Sequence, residues 1–350
     1  MSTTKHERPG VYSSYDTSSV VSAGNTPKVV GIAAKAERGT PGQAVTLTSH
    51  AAGAAAFGGG MEQLLRLLFA NGASTVVAVR VNDAGTLEDY QEAFAALAAQ
   101  EQVQVAVCDS AETEVHQALR DSVETASAAR RERIAVVGGA DETAAELVSH
   151  AKALNSERVV LAGPDGSAGG SRTASGVLSA AALAGAIASN RDPAAPMNGV
   201  ALAGLETLAA DYQDNDIDLL VRGGVTPLES RAGTISPVRC VTTRTTTGQE
   251  PDATWRELTT MLIVDDVIPA VRSALRSKFV RAKNTAQSRG AIRAQVIVEL
   301  ERKKAAEIIT EYGEVTAEPS TDDPAVCLVA FTFAVAHGLN QIYLTAHITV

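Results

Sequence analysis

Between residues 28 and 223, two hydrophobic periods alternate along the chain. Short apolar runs occur at Val29 to Ala33, Thr75 to Val81, Val103 to Val107, Ile134 to Val137, Val159 to Ala162 and Leu219 to Val221. Between most of them lie segments of helical periodicity: Met61 to Ala70, Leu87 to Ala99, Glu112 to Ala129, Glu142 to Leu154 and Ala174 to Ala188. Continuous apolar runs separated by amphipathic helices predict a mostly parallel sheet sandwiched by helices, since the strands of such a sheet bury both faces. Helix-start signals agree: Thr86 stands three residues before Asp89, and Asp141 opens the helix after Ile134 to Ala140.

After Gly223-Gly224 the pattern changes. Gly233, Pro237 and the Thr-rich run Val241 to Thr247 predict a β-hairpin that closes the α/β unit. Trp255 begins a helical stretch to Val280 that Pro269 interrupts and kinks, and a second helix is predicted from about Arg289 to Ile309. An acidic loop, Gly313 to Pro324, leads to a strand at Leu328 to Val335, with Gly338 in the turn that follows. From Ile342 the residues alternate strictly. Ile342, Leu344, Ala346, Ile348 and Val350 face one way, and Tyr343, Thr345, His347 and Thr349 the other. An end this apolar must pair with a sheet edge, which belongs either to the same chain or to a neighbour. The N-terminal stretch is polar and rich in Ser and Thr, with Val11, Tyr12, Val20 and Val21 as its apolar points. It can extend as an arm but cannot bury a core of its own. The expected organisation is an N-terminal arm at 1–27, an α/β core at 28–250, and an α+β C-terminal domain at 251–350 ending in an arm at 340–350.

Composition narrows the function classes. The chain has 350 residues, 45% of them hydrophobic and 4% aromatic, which suits two soluble globular domains, or one large domain with an appendage. No apolar run reaches the roughly 18 to 20 residues of a membrane helix, and the polar N-terminus has no hydrophobic signal core. Cys108, Cys240 and Cys327 lie far apart in strand-like runs and read as small buried residues, not metal ligands. A net charge of −10 argues against general nucleic-acid binding.

Candidate chemistry is sparse. The stretch from Gly163 to Thr173 follows a strand, but it has neither the lysine of a Walker A loop nor a G-x-G-x-x-G fingerprint. Phe57 to Gly60 precedes a helix whose free amides could hold an anion, although a plain turn explains it as well. His6, His50, His116, His150, His337 and His347 form no metal-spaced pair, and Ser110, Ser175 and Ser179 lack a nucleophile signature. These observations predict no catalytic residues, no metal and no cofactor. The rival readings are an α/β enzyme or ligand-binding domain using the loops at 82–85, 108–110 and 163–170, and an unrelated homo-oligomeric scaffold.

Three stretches carry a resemblance. They are Glu7 to Tyr12, Phe57 to Gly72 leading into Thr75 to Arg80, and Gly338 to Val350. Together, and in this order along essentially the whole chain, they resemble the contractile tail sheath proteins of bacteriophages and related injection machines, in their short form. The resemblance implies a subtilisin-like α/β fold without protease activity, and self-association as hexameric rings stacked helically around an inner tail tube. Baseplate and tail terminator proteins are the further implied partners, with no nucleic acid and no membrane insertion. The implied location is the virion tail, reached from the host cytoplasm where assembly occurs. Contraction would drive the tube through the target envelope. The implied intersubunit arms contain Val11, Tyr12, Val20 and Val21 at one end and Ile342, Tyr343, Leu344, Ile348 and Val350 at the other. Between Val267 and Val298 stand seven basic residues and no acidic one. With the second domain implied to line the tube, Arg281, Lys283, Arg289 and Arg293 are the expected tube-facing residues.

Overall fold

The computed structural model describes residues 27–169, 171–172 and 176–340. The arm residues 11–21 and 342–350, with His6, His347 and Ser175, lie outside the described residues.

The chain opens with β1 (Val29–Lys35) and the short β2 (Ala44–Leu47), then α1 (His50–Ala56) and α2 (Gly59–Ala70). A regular alternation follows: β3 (Val76–Val81), α3 (Leu87–Ala98), β4 (Val103–Cys108), α4 (Thr113–Ala128), β5 (Ile134–Gly138), α5 (Ala144–Leu154) and β6 (Val159–Gly163). A small sheet of β7 (Gly166–Ala168), β8 (Ser171–Arg172) and β9 (Thr207–Leu208) brackets α6 (Val177–Ser189) in sequence. Next come α7 (Asp214–Arg222), the hairpin β10 (Val225–Arg231) and β11 (Thr234–Pro237), and a minor pair β12 (Thr246–Thr247) and β13 (Glu250–Pro251). The last part holds α8 (Leu258–Phe279), α9 (Ala286–Ala305), β14 (Ile309–Tyr312), β15 (Thr316–Pro319), β16 (Cys327–Ala330) and β17 (Phe333–Val335).

The main sheet has the order β11-β10-β6-β5-β4-β1-β3-β2. Pairings from β10 through β3 are parallel, and only the two edge strands run antiparallel. Alternate residues serve opposite faces, as a pleated strand requires. Val105 and Val107 of β4, with Ile134 and Val136 of β5, face α2 and α6. Ala106, Cys108, Ala135 and Val137 face α3, α4 and α5. The α/β sandwich read from the apolar runs is therefore present, with a C-terminal part built of helices followed by strands.

Helix boundaries follow their caps. Thr86 and Thr143 each close a capping box, with Asp89 and Glu146 respectively. The start of α5 is thus set by Thr143, two residues beyond Asp141. α6 is buried at every position from Val177 to Ala188, so no face remains to carry a polar pattern. Its first turn has no side-chain cap from its own N-cap, Gly176. Asp165, itself 1% exposed, accepts instead from the amides of Gly176 (2.8 Å) and Ser179 (3.3 Å), placing a carboxylate at the positive end of the helix.

Three expected elements differ. Leu219 to Val221 belongs to α7, not to a strand. A Gln213–Asp216 capping box starts that helix, and only Leu220 and Val221 of it are buried, an apolar run too short to distinguish the two periods. The strand expected at Leu328 to Val335 is two strands, broken at Phe331-Thr332. β16 pairs with β15 and β17 pairs with β14. The second helix begins earlier than expected, where Thr285 caps the Ser288 amide, and ends at Ala305, short of β14.

Candidate assembly surfaces

The positions where an α/β enzyme would place its chemistry are filled by contacts within the chain. Ser110 Oγ accepts from the Glu112 amide (3.1 Å) and Ser179 Oγ donates to the Pro164 carbonyl (3.0 Å), so both hydroxyls are engaged with backbone. Asp109 accepts from Tyr90 Oη (2.6 Å) and the Lys35 amide (2.8 Å), and burial raises its pKa. Burial likewise pushes the Cys108 thiol up to about 12, which leaves it protonated and inert. The space over Gly58 and Gly59 at the start of α2 is already occupied by the Glu37 side chain, with the Arg38 guanidinium equally close to Gly58. Among the described residues there is no cluster of three His, Cys, Asp or Glu able to hold a metal, and no helix long and apolar enough to cross a membrane.

Among the described residues, a pair of histidines meets in the interior. His116 and His150 stack with ring centres 5.0 Å apart, and His116 Nδ1 lies 3.0 Å from His150 Nε2. The Ser110 carbonyl, 2.7 Å from His116 Nε2, accepts a hydrogen there. His116 Nδ1 must then accept from His150, whose Nδ1 faces Glu142 at 3.2 Å. This relay ties α4 to α5. Sequence spacing could not reveal it, since 34 residues separate the two histidines. Burial, and next the neighbouring His150, lower the His116 pKa from 6.5 to about 3. The unfolded chain therefore binds a proton that the fold excludes. Stability should be complete above pH 6.5 and fall towards pH 3, by about 1.4 kcal/mol per pH unit from this group alone. Urea midpoints at pH 7 and pH 5 would measure the slope, and a His116→Gln variant should be less stable at pH 7 with a shallower pH dependence.

The C-terminal part presents two different surfaces. Its core is Ile263, Val267 and Val271 of α8, Val296 and Leu300 of α9, and Ile309 of β14. Over this core lie two separate two-stranded antiparallel ladders, β14 with β17 and β15 with β16. Among the described residues each strand of these ladders has one partner and therefore one open edge.

The second surface is the tip of the α8–α9 hairpin. Arg281, Lys283 and Arg293 are exposed there, while Arg289 is half-buried and donates to Asn284 Oδ1 at 3.1 Å. Asn284 in turn donates to the Pro324 and Val326 carbonyls, fastening the tip to the acidic loop that carries Asp322 and Asp323. The basic stretch is thus less uniform than its sequence: Arg272 pairs with Glu132 of the α/β part at 2.7 Å, and Lys278 donates to Gln295. Val280, 76% exposed, and Leu328, 56% exposed, add apolar points to this part of the chain.

Where the two parts meet, charges are paired. Arg158, beside β6, forms a two-pronged bridge to Asp265 of α8 at 2.9 and 3.0 Å, and Lys303 of α9 bonds Asp266. Lys28 lies half-buried in their field. Its pKa is lowered by burial, with Asp266 and Asp265 opposing that shift.

The described residues thus form a three-layer α/β unit joined to a helical hairpin with open-edged ladders. Residues 83–243 match the phage tail sheath protein central domain, and residues 250–349 match the phage tail sheath C-terminal domain. The chain belongs to the phage tail sheath family, whose members are structural proteins and not enzymes. A tail sheath protein of Bacillus phage SP01 is 29% identical over 227 residues, 62% of this chain. The match spans 38% of that relative's own length. Two solved structures share the fold. One is the sheath tail protein from Desulfitobacterium hafniense, at a TM-score of 0.71 and 11% identity, covering 93% of this chain and 100% of that one. The other is the contracted helical sheath of the anti-feeding prophage, at a TM-score of 0.74 and 15% identity, covering 98% and 99%.

Proposed function

We propose that this chain is the polymerising sheath subunit of a contractile tail or related injection machine, and that stacked hexameric rings of it surround an inner tube. In this reading it is a component of the virion or injection particle, assembled in the host cytoplasm, with the tube, baseplate and terminator proteins as partners. The observation that carries the reading is the pair of ladders in the C-terminal part. A two-stranded ladder is marginal on its own, and its open edge offers main-chain donors and acceptors to an added strand. The sequence offers two segments for that use: the polar stretch 11–21, with Val11, Tyr12, Val20 and Val21 as its apolar points, and the alternating stretch 342–350. Strand addition depends on main-chain bonds, so neighbouring subunits stay linked while their bodies shift. Negative-stain microscopy of the purified chain tests the proposal. Tubes or stacked rings are expected, and small discrete particles would refute it.

The tube is proposed to lie against the hairpin tip, where Arg281, Lys283, Arg289 and Arg293 meet acidic groups. Exposed charge pairs are worth at most about 1 kcal/mol each and are screened by salt, which suits a contact that must release in concert. Reversing Arg281 and Lys283 to Glu should leave the fold intact, because neither side chain is packed. Extended sheaths should become rarer and empty contracted ones commoner in electron micrographs. Normal extended tails with unchanged salt sensitivity would remove this surface from consideration.

A further inference from the structure

The two ends of the described chain meet the same short stretch, residues 188–198, which comprise the last turn of α6 and the loop after it. At the entry, the Lys28 amide donates to the Ala188 carbonyl at 3.0 Å, and Lys28 Nζ to the Asn190 carbonyl at 3.3 Å. Asn190 caps α6, and its Nδ2 reaches the Ala195 carbonyl and Met197 Sδ, each at 3.3 Å. Met197 is 3% exposed and belongs to the core shared by α2 and α6. At the exit, the residues on either side of Met197 hold the chain. Pro196 lies so close to Gly338 that a Cβ there would stand 2.3 Å from its Cγ. Asn198 Nδ2 donates to Asn340 Oδ1 at 2.9 Å. The loop itself is fixed to the sheet, since Gly199 donates to the Pro237 carbonyl at 2.8 Å and Asn198 Oδ1 accepts from the Cys240 amide at 3.4 Å.

We infer that residues 188–198 are a common mount from which both arms leave the subunit, with Asn190, Pro196, Asn198 and Gly338 as its positioning residues. The inference rests on the reading that the two arms link neighbouring copies of this chain. Tension arriving through the N-terminal arm then reaches the C-terminal arm across the end of a fully buried helix, without passing along α8. Leu339, between the two held positions, is 75% exposed, so the exit is held by close approach and amide pairing and not by apolar burial. Only glycine fits at 338, because any side chain would meet the proline ring.

The test uses the full chain carrying Pro196→Cys with Gly338→Cys. A Cβ on Gly338 lies 3.3 Å from Pro196 Cβ, within a few tenths of an ångström of the roughly 3.5 to 4.5 Å that disulfides span. The pair should close on mild oxidation of the monomer, and the locked chain should polymerise at the same critical concentration as its reduced form. Gly338→Val should raise that concentration about tenfold or more, equivalent to about 1.4 kcal/mol, with little change in melting temperature. Asn190→Ala should both slow closure of the cysteine pair and speed hydrogen exchange at the Lys28 amide, because it touches both ends through one loop. A pair that stays open, a locked chain that no longer polymerises, or an Asn190→Ala effect confined to one end would overturn the mount. A chain truncated after residue 340 that still forms tubes would instead overturn the arm linkage, while cysteine closure and hydrogen exchange would still decide the mount.

Discussion

Replacing Gly185 with valine should cost this protein about 3 kcal/mol of stability or more. A Cβ on Gly185 would lie 2.6 Å from the Leu68 carbonyl oxygen and 2.9 Å from Asn71 Cβ, so the added groups meet backbone that cannot swing aside. α2 would have to move off α6. The cost would spread through Asn71, whose amide donates to the Leu67 and Ala203 carbonyls at 2.9 Å each. Denaturant unfolding should show a lower midpoint at an unchanged slope. Gly290 is the internal contrast. It sits in α9 with open space around it, so Gly290→Ala should stabilise by about 0.5 to 1 kcal/mol. Equal effects at the two glycines would contradict the close approach of α2 to α6.

The second large effect concerns assembly and not folding. Removal of residues 341–350 should leave the α/β sheet and its two helical layers intact, because all strands of that sheet and their covering helices lie upstream. On the proposed strand exchange, polymerisation should be lost almost completely, because the segment proposed to add to a neighbour's open edge is gone. Circular dichroism and sedimentation of one preparation would report both outcomes. A truncated chain that unfolds would mean that this segment completes its own subunit.

The sandwich was legible because its strands are buried on both faces and its surface helices keep a polar side. α3 even announces its start through Thr86, whereas α5 starts at Thr143, two residues beyond the Asp141 expected, because the Thr143–Glu146 capping box and not the first acidic residue sets it. Legibility failed where a pattern was too short or uniform. Leu219 to Val221 is three apolar residues, which fits either period, and only the capping box at Gln213 settles it as helix. The break at Phe331-Thr332 is invisible in a continuous β-prone run, because it arises from pairing with two different partner strands. Among site residues, the basic character of the hairpin tip could be read directly. The diversion of Arg272 to Glu132 could not, since that pair spans 140 positions. The His116–His150 relay and the meeting of both chain ends at 188–198 were hidden for the same reason: contacts distant in sequence leave no periodic trace.

α8 carries one further consequence. Leu258 and Leu262 insert into the core that α2 and α6 share, whereas the next residue, Ile263, with Val267 and Val271, builds the core of the C-terminal part. Adjacent residues of one helix thus belong to different cores. Fraying the C-terminal core would unwind the helix that plugs the larger one, and the Arg158–Asp265 bridge would lose its geometry at the same step. The two parts should therefore denature as one cooperative unit, giving a single calorimetric peak whose van't Hoff and calorimetric enthalpies agree. Among the described residues, a distortion of the C-terminal core therefore reaches the larger core directly through α8.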